Sequence, residues 1–329
     1  MANPTKLIDA FALNVALEPI YGQGAVITGS VNGIQMGKDV TFQLDYLSKG
    51  TRMAAPGSYG QLKQNIKSGR SAKGNIICEL KGQASAFTTS SQTIEFHELI
   101  LASGFSASYA SATWSYNADA AGLNVIPASV AMQVYSRREL TSISGGMCNM
   151  TIKADAGKAA EVTFAVEGLA GILPQDVATV PQPFYSCSAV LPALLENANF
   201  LIGNYSSSVI QSFEFDMGRK LTARPSANAP LAHAGFVADK RDPVIKLKIE
   251  APLQNQLDVH QAMDVGTVMP ITCVLPGNAG SNFGFNFANA QITAVASSVT
   301  GLIATWDITF GAYLNPTGSG NDDVIITVF

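Results

Sequence analysis

Charge is scarce in this chain: 13% of its 329 residues are Asp, Glu, Lys or Arg, against 47% hydrophobic. So apolar a composition excludes a disordered chain, and the shortage of charge points to surface that becomes buried in an assembly. Basic runs are missing too. Residues 1–180 carry 13 Lys and Arg against 13 Asp and Glu, and residues 181–329 carry 7 against 11, which excludes the clustered positive surface that grips a phosphate backbone. No apolar run reaches the ~18 residues of a membrane span, and the first 20 residues lack the uncharged core of a signal peptide. The expected place of folding is a cytoplasm, with no membrane partner. Cys78, Cys148, Cys187 and Cys273 show no CxxC spacing and read as reduced, packed thiols.

Catalytic motifs are equally scarce. His97, His233 and His260 occur in three separate settings, none in HExxH, and GxSxG is absent. KSGRSAKG (67–74) lacks the GxxxxGK[ST] order of a phosphate cradle, and Asp322–Asp323 lack EF-hand spacing. Tyr109, Trp114, Tyr116 and Tyr135 could form a base-stacking platform, although such rings more often face a core or a neighbouring chain. The expectation is a non-enzyme with no cofactor and no metal site.

What the chain does have is repetition. FQLDYLSK (42–49) and FEFDMGRK (213–220) both alternate apolar with polar residues, as half-buried strands do. Their surroundings repeat in the same order. GNIICELKG sets Ile76, Cys78 and Leu80 on one face, and PVIKLKIEAP does the same with Ile245, Leu247 and Ile249, 169 residues later by alignment. A helix of about three turns is expected where Ile94, His97, Glu98 and Leu101 share a face, with Ser90 or Ser91 as cap and Gly104 as stop. NQLDVHQAMDV occupies that place in the second copy. MCNMTIKA and EVTFAVEG close the first copy; FGFNFANAQI and ATWDITFGAY close the second, at an offset of about 144. Residues 48–73 and 223–238 read as long polar loops. The expected organisation is an arm or edge element (1–24), a first domain (25–178), a Pro-rich linker (179–199) and a second domain (200–329). The fold class is mainly β, two tandem barrel or sandwich domains with one short helix each.

The order of EPIYGQG, VTFQLDY, GNIICELKG, a helix ending LILASGF, SGGMCNMTI and VTFAVEGLAG resembles the two-domain tail tube proteins of long-tailed bacteriophages. SFEFDMG and ADKRDPVIKLKIEAP resemble the second copy. The resemblance implies a structural virion protein of the tail, assembled in the host cytoplasm into stacked rings that conduct double-stranded DNA. Six barrel-like domains per ring would come from three chains of two domains each. It further implies contacts with other copies, a tape measure protein, a tail terminator and baseplate or tail-tip proteins. On this reading Glu79, Glu214 and Asp216 are candidates for the lumen, where acidic groups repel passing phosphate. Lys63, Lys67 and Arg70, in the long basic segment, are candidates for contact between rings. The alternative is a carbohydrate-binding β-sandwich adhesin or virion decoration protein, with Trp114, Tyr116 and Trp306 stacking on sugar.

Overall fold

The computed structural model describes residues 11–28, 33–36, 42–51, 65–118, 128–136, 139–170, 174–177, 180, 185, 187, 189–206, 209–229, 233–314 and 322–329. In chain order the first half forms β1 (Phe11–Leu17), β2 (Gln43–Thr51), β3 (Asn65–Glu79), α1 (His97–Ala102), β4 (Phe105–Ala110), β5 (Thr113–Ala118), β6 (Val130–Ser136), β7 (Glu139–Asp155), β8 (Glu161–Leu169) and β9 (Gln175–Asp176). The second half forms β10 (Asn199–Ile202), β11 (Ile210–Asp216), β12 (Lys220–Pro225), β13 (His233–Lys240), β14 (Val244–Glu250), α2 (Val259–Val265), β15 (Val268–Leu275), β16 (Phe283–Thr300), β17 (Ile303–Ala312) and β18 (Ile325–Val328). The protein is mainly β, built on a large antiparallel sheet.

Both halves wind their strands in one order. The first pairs β1-β6-β7-β8-β3-β2 and the second β10-β15-β16-β17-β14-β11. The pattern turns on one long strand per half. β7 lies against β6 through its first part and against β8 through its second; β16 does the same with β15 and β17. Register shifts where the partners change, between Ser144 and Met147 and between Ile292 and Ala294, let each strand bend from one layer into the other. Each half is thereby a folded sheet, and the buried side chains of the two halves form one continuous core. In the second, Phe213 and Phe215 on β11 meet Phe285 and Phe287 on β16, ring centroids 5.3 Å apart in both pairs.

The expected inward faces are the buried ones: Ile76, Cys78 and Leu80; Cys148, Met150 and Ile152; Val162, Phe164 and Val166; Ile245, Leu247 and Ile249. All four cysteines are free and buried. Residues 11–17 are the edge element, a strand held by β6 with Leu13 and Val15 buried.

Several expectations change. Of the 48–73 loop, residues 48–51 and 65–73 continue β2 and β3 as paired strands, and residues 52–64 lie outside the described residues. Residues 223–238 likewise lie mostly in a separate hairpin, β12–β13. α1 has six residues, under two turns. It buries His97, Leu99, Ile100 and Ala102, and Phe96 occupies its N-cap with no side-chain cap. Register also moves the equivalence of the repeats. Leu80 N–H donates to Ala160 O at 2.8 Å and Ala251 N–H to Ala304 O at 2.9 Å, which equates Ile76 with Leu247 instead of Ile245. Gln43, opposite Lys73, then takes the place of Asp216, opposite Val244. This is two residues from the sequence match, a slip that keeps every side chain on its face.

Candidate functional site: an assembly surface

The two half-sheets meet edge to edge. β7 and β11 pair antiparallel from Thr151–Asp216 to Asp155–Ser212, so β2-β3-β8-β7-β11-β14-β17-β16 form eight successive strands of one sheet. Side chains reinforce the seam. Asn149 Nδ2 donates to Asp216 Oδ1 at 2.9 Å, and Arg219 N–H donates to Asn149 Oδ1 at 2.8 Å. Glu214 lies between Lys153 (3.4 Å) and Lys246 (3.1 Å).

The outer strands of this run are the counterparts of the two that meet at the seam. β2 corresponds to β11, and β16 to β7. Among the described residues β2 pairs only with β3, and Ala294–Thr300 of β16 pair only with β17. Among the described residues, two edges whose equivalents join inside the chain thus have no strand partner at its ends.

The side of the sheet away from the core is polar and acidic. Pairing register puts Asp45, Glu79, Asp155, Glu161, Glu167, Glu214, Asp216, Glu250 and Asp307 on this face with Lys73, Lys153, Lys246 and Lys248. Among the side chains described on these strands carboxylates outnumber amines, although Lys81 and Lys158 also reach this face to pair with Glu79 and Asp155. Glu79, Glu214 and Asp216 thus share one surface, all half-buried. Glu79 also pairs with Lys81 at 2.7 Å. Arg70 lies half-buried opposite Tyr46, Lys67 is on β3 opposite Lys49 with its side chain outside the described residues, and Lys63 lies outside them altogether.

The remaining candidates are structural. Trp114 and Tyr116 are buried, with indole Nε1 donating to Gln92 O at 2.7 Å and the Tyr116 hydroxyl 2.8 Å from His97 Nδ1. Tyr135 is buried and Tyr109 donates to Phe87 O, so these rings make neither a stacking platform nor an exposed sugar-binding surface. Burial lowers the His97 pKa to about 4. His260 meets Trp306 edge-on. Asp323, in the tail segment, is buried in a bidentate pair with Arg241 at 2.8 and 2.9 Å. Among the described residues no group of three or more His, Cys, Asp or Glu is placed to hold a metal, and no helix is long and apolar enough to cross a membrane. A cavity of about 230 Å³ beside Cys78 and Phe96 has its polar walls occupied by their own bonds, Lys81 with Gln35 and Glu95 with the Gln35 and Cys187 amides.

One arrangement of hydrogen bonds escapes sequence reasoning. In EPIYGQG, the Glu18 carboxylate accepts from the amides of Gly22, Gly24 and Gly145 and from the Ser129 hydroxyl, at 2.6 to 3.0 Å. Tyr21 reaches the second half, its hydroxyl accepting from Phe236 N–H at 2.6 Å and lying within hydrogen-bond reach of Gly145 O. Gly235 has to be glycine: a Cβ there would stand 2.2 Å from that hydroxyl, on a backbone with φ +107. The signal available was a carboxylate followed by two glycines, a residue type that takes the positive φ found at Gly22 and Gly24 and lets amides wrap an anion. Compared with known proteins, the chain matches no family model and no curated protein.

Proposed function

We propose that this chain is the subunit of a hollow tube, the tail tube of a long-tailed phage, in which three copies close each ring and stacked rings conduct double-stranded DNA. The observation that carries the reading is the pair of edges without a strand partner among the described residues. β16 of one copy can meet β2 of the next as β7 meets β11 within the chain, so ring closure repeats a contact the fold already makes. Closure also removes the exposed sheet edges that would otherwise template aggregation. Eight strands per copy and three copies give twenty-four; at about 4.8 Å per strand, tilted, these enclose a barrel on the order of 40 Å across.

The polar face supports the same reading. The core fills the other side of the sheet, so this face lines the bore, where its carboxylates favour sliding of phosphate over sticking. Contacts with a tape measure protein, a tail terminator and baseplate or tail-tip proteins, and a place in the virion, belong to this proposal. Concentrating the purified protein and imaging it in negative stain tests it: uniform hollow filaments are expected, and discrete particles at every concentration would contradict it.

A further inference from the structure

Within the chain, the segment leading into the second half is bound to the end of the first. Ala193 is inserted between two strands, its N–H donating to Leu80 O and its carbonyl accepting from Ala160 N–H, both at 2.9 Å. Leu194 and Leu195 then bridge to Ala159 and Ala156 at the tip of the β7–β8 hairpin. Leu80, Ala160, Ala193 and Leu195 are all buried by this arrangement.

The matching end of the second half has the same geometry without the insert. Ala251 N–H donates to Ala304 O as Leu80 does to Ala160. The Ala304 N–H and the Ala251 carbonyl, which would receive the inserted residue, have no backbone partner among the described residues. Around them Leu253, Val299, Leu302 and Ile303 are exposed, at 68%, 72%, 103% and 47%. Four apolar side chains at one sheet end, beside an unfilled pair of backbone groups, make a site for an apolar peptide segment.

The sequence before β1 supplies one. A register shift between Val130 and Met132 recurs between Met269 and Ile271, which equates Met132 with Ile271 and hence their neighbours across the sheet, Val15 and Ile202. Counting back from that pair places Lys6, Leu7, Ile8 and Asp9 on Ala193, Leu194, Leu195 and Glu196. LID precedes β1 as LLE precedes β10.

We infer that Lys6–Asp9 of one copy binds across the β16–β17 hairpin tip of the preceding copy. Lys6 is inserted between Ala251 and Ala304, with Leu7 and Ile8 covering Val299, Leu302 and Ile303. The inference rests on the ring reading, because the unit that precedes β1 belongs to another copy.

The test is a chain carrying both Leu7→Cys and Ile303→Cys, the counterparts of the Leu194–Ala159 bridge, oxidised after assembly and run without reductant. Covalent dimers and trimers are expected, and neither single variant should give them. As a second measurement, Leu302→Ser, at a fully exposed position, should leave the melting temperature of the isolated chain unchanged and raise the concentration needed for assembly by tenfold or more. Rings that form with no cross-link, and as readily with Leu302→Ser, would overturn this inference and leave the ring intact. A cross-link that forms within dilute monomers would overturn it as well, by assigning the site to the chain's own segment. If the wild-type chain forms no rings, both readings fall.

Discussion

Lys153 and Glu214 stand on facing strands of the two halves, 3.4 Å apart, and their pairing marks the line where one folded half continues into the other. Their side chains are 62% and 29% exposed, and exposed pairs of this kind are worth roughly 0–1 kcal/mol. Hydrogen bonding between β7 and β11 holds the seam; the charges set the character of the surface above it. Glu214→Gln should therefore change stability by less than about 1 kcal/mol in a denaturant titration.

Reversing charge on that face should act on function instead. Glu79→Lys combined with Glu161→Lys leaves the core and the seam untouched, yet turns part of a carboxylate-rich wall basic. Assembled tubes are expected to keep their form while DNA release from particles slows severalfold. Unchanged release kinetics would count against this face as the lining of the bore.

Burial keeps His97 neutral, and acid should expose the cost. Its pKa is about 4 in the folded chain against 6.5 ordinarily, so its contribution is intact above pH 6.5 and is lost as pH falls from there towards 4. The loss is on the order of 3 kcal/mol. Glu98 and Asp323, whose carboxyls burial pushes up, act with the opposite sign over acid pH. The difference between wild type and His97→Gln isolates the histidine: the variant's unfolding free energy should fall less between pH 6.5 and 4.

The C-terminal strand depends on a buried charge pair. β18 fills the gap between β16 and β5, and Asp323 just before it is 3% exposed in its pair with Arg241. Arg241→Ala leaves a buried carboxylate alone, which costs about 3–5 kcal/mol. Limited proteolysis should then cut near residue 322 in the variant while the wild type resists.

Tyr21→Phe removes a hydroxyl that ties the N-terminal motif to Phe236. The unpaired amide should cost about 1–3 kcal/mol, seen as faster amide exchange in β13, with β14 unaffected.

Strand faces were legible in the sequence wherever one side is buried. Ile245, Leu247 and Ile249 alternate with Lys246, Lys248 and Glu250 because one set meets the core and the other meets water. Register was not legible, since moving Gln43 from the place of Glu214 to that of Asp216 alters no face. The β2–β3 and β12–β13 hairpins were read as loops because glycine, serine and basic residues in KSGRSAKG, and proline and alanine in 223–238, interrupt the alternation that marks a strand. α1 was misjudged because its inward residues are set by contacts with β1, β4, β6 and β7, which no local spacing encodes. Glu79, Glu214 and Asp216 could be named from alternation alone, but their shared face depends on the β7–β11 seam, a contact between halves. Tyr21 was visible only as part of a motif, since its partner lies 215 residues away.

Ring closure by three copies is the central claim, and native mass spectrometry of rings released from the assembled protein tests it most directly. The account predicts a species of three times the 34.5 kDa of one chain, formed without dimer or tetramer end-states. Rings containing six copies, or a chain that remains monomeric at concentrations where filaments should grow, would contradict it.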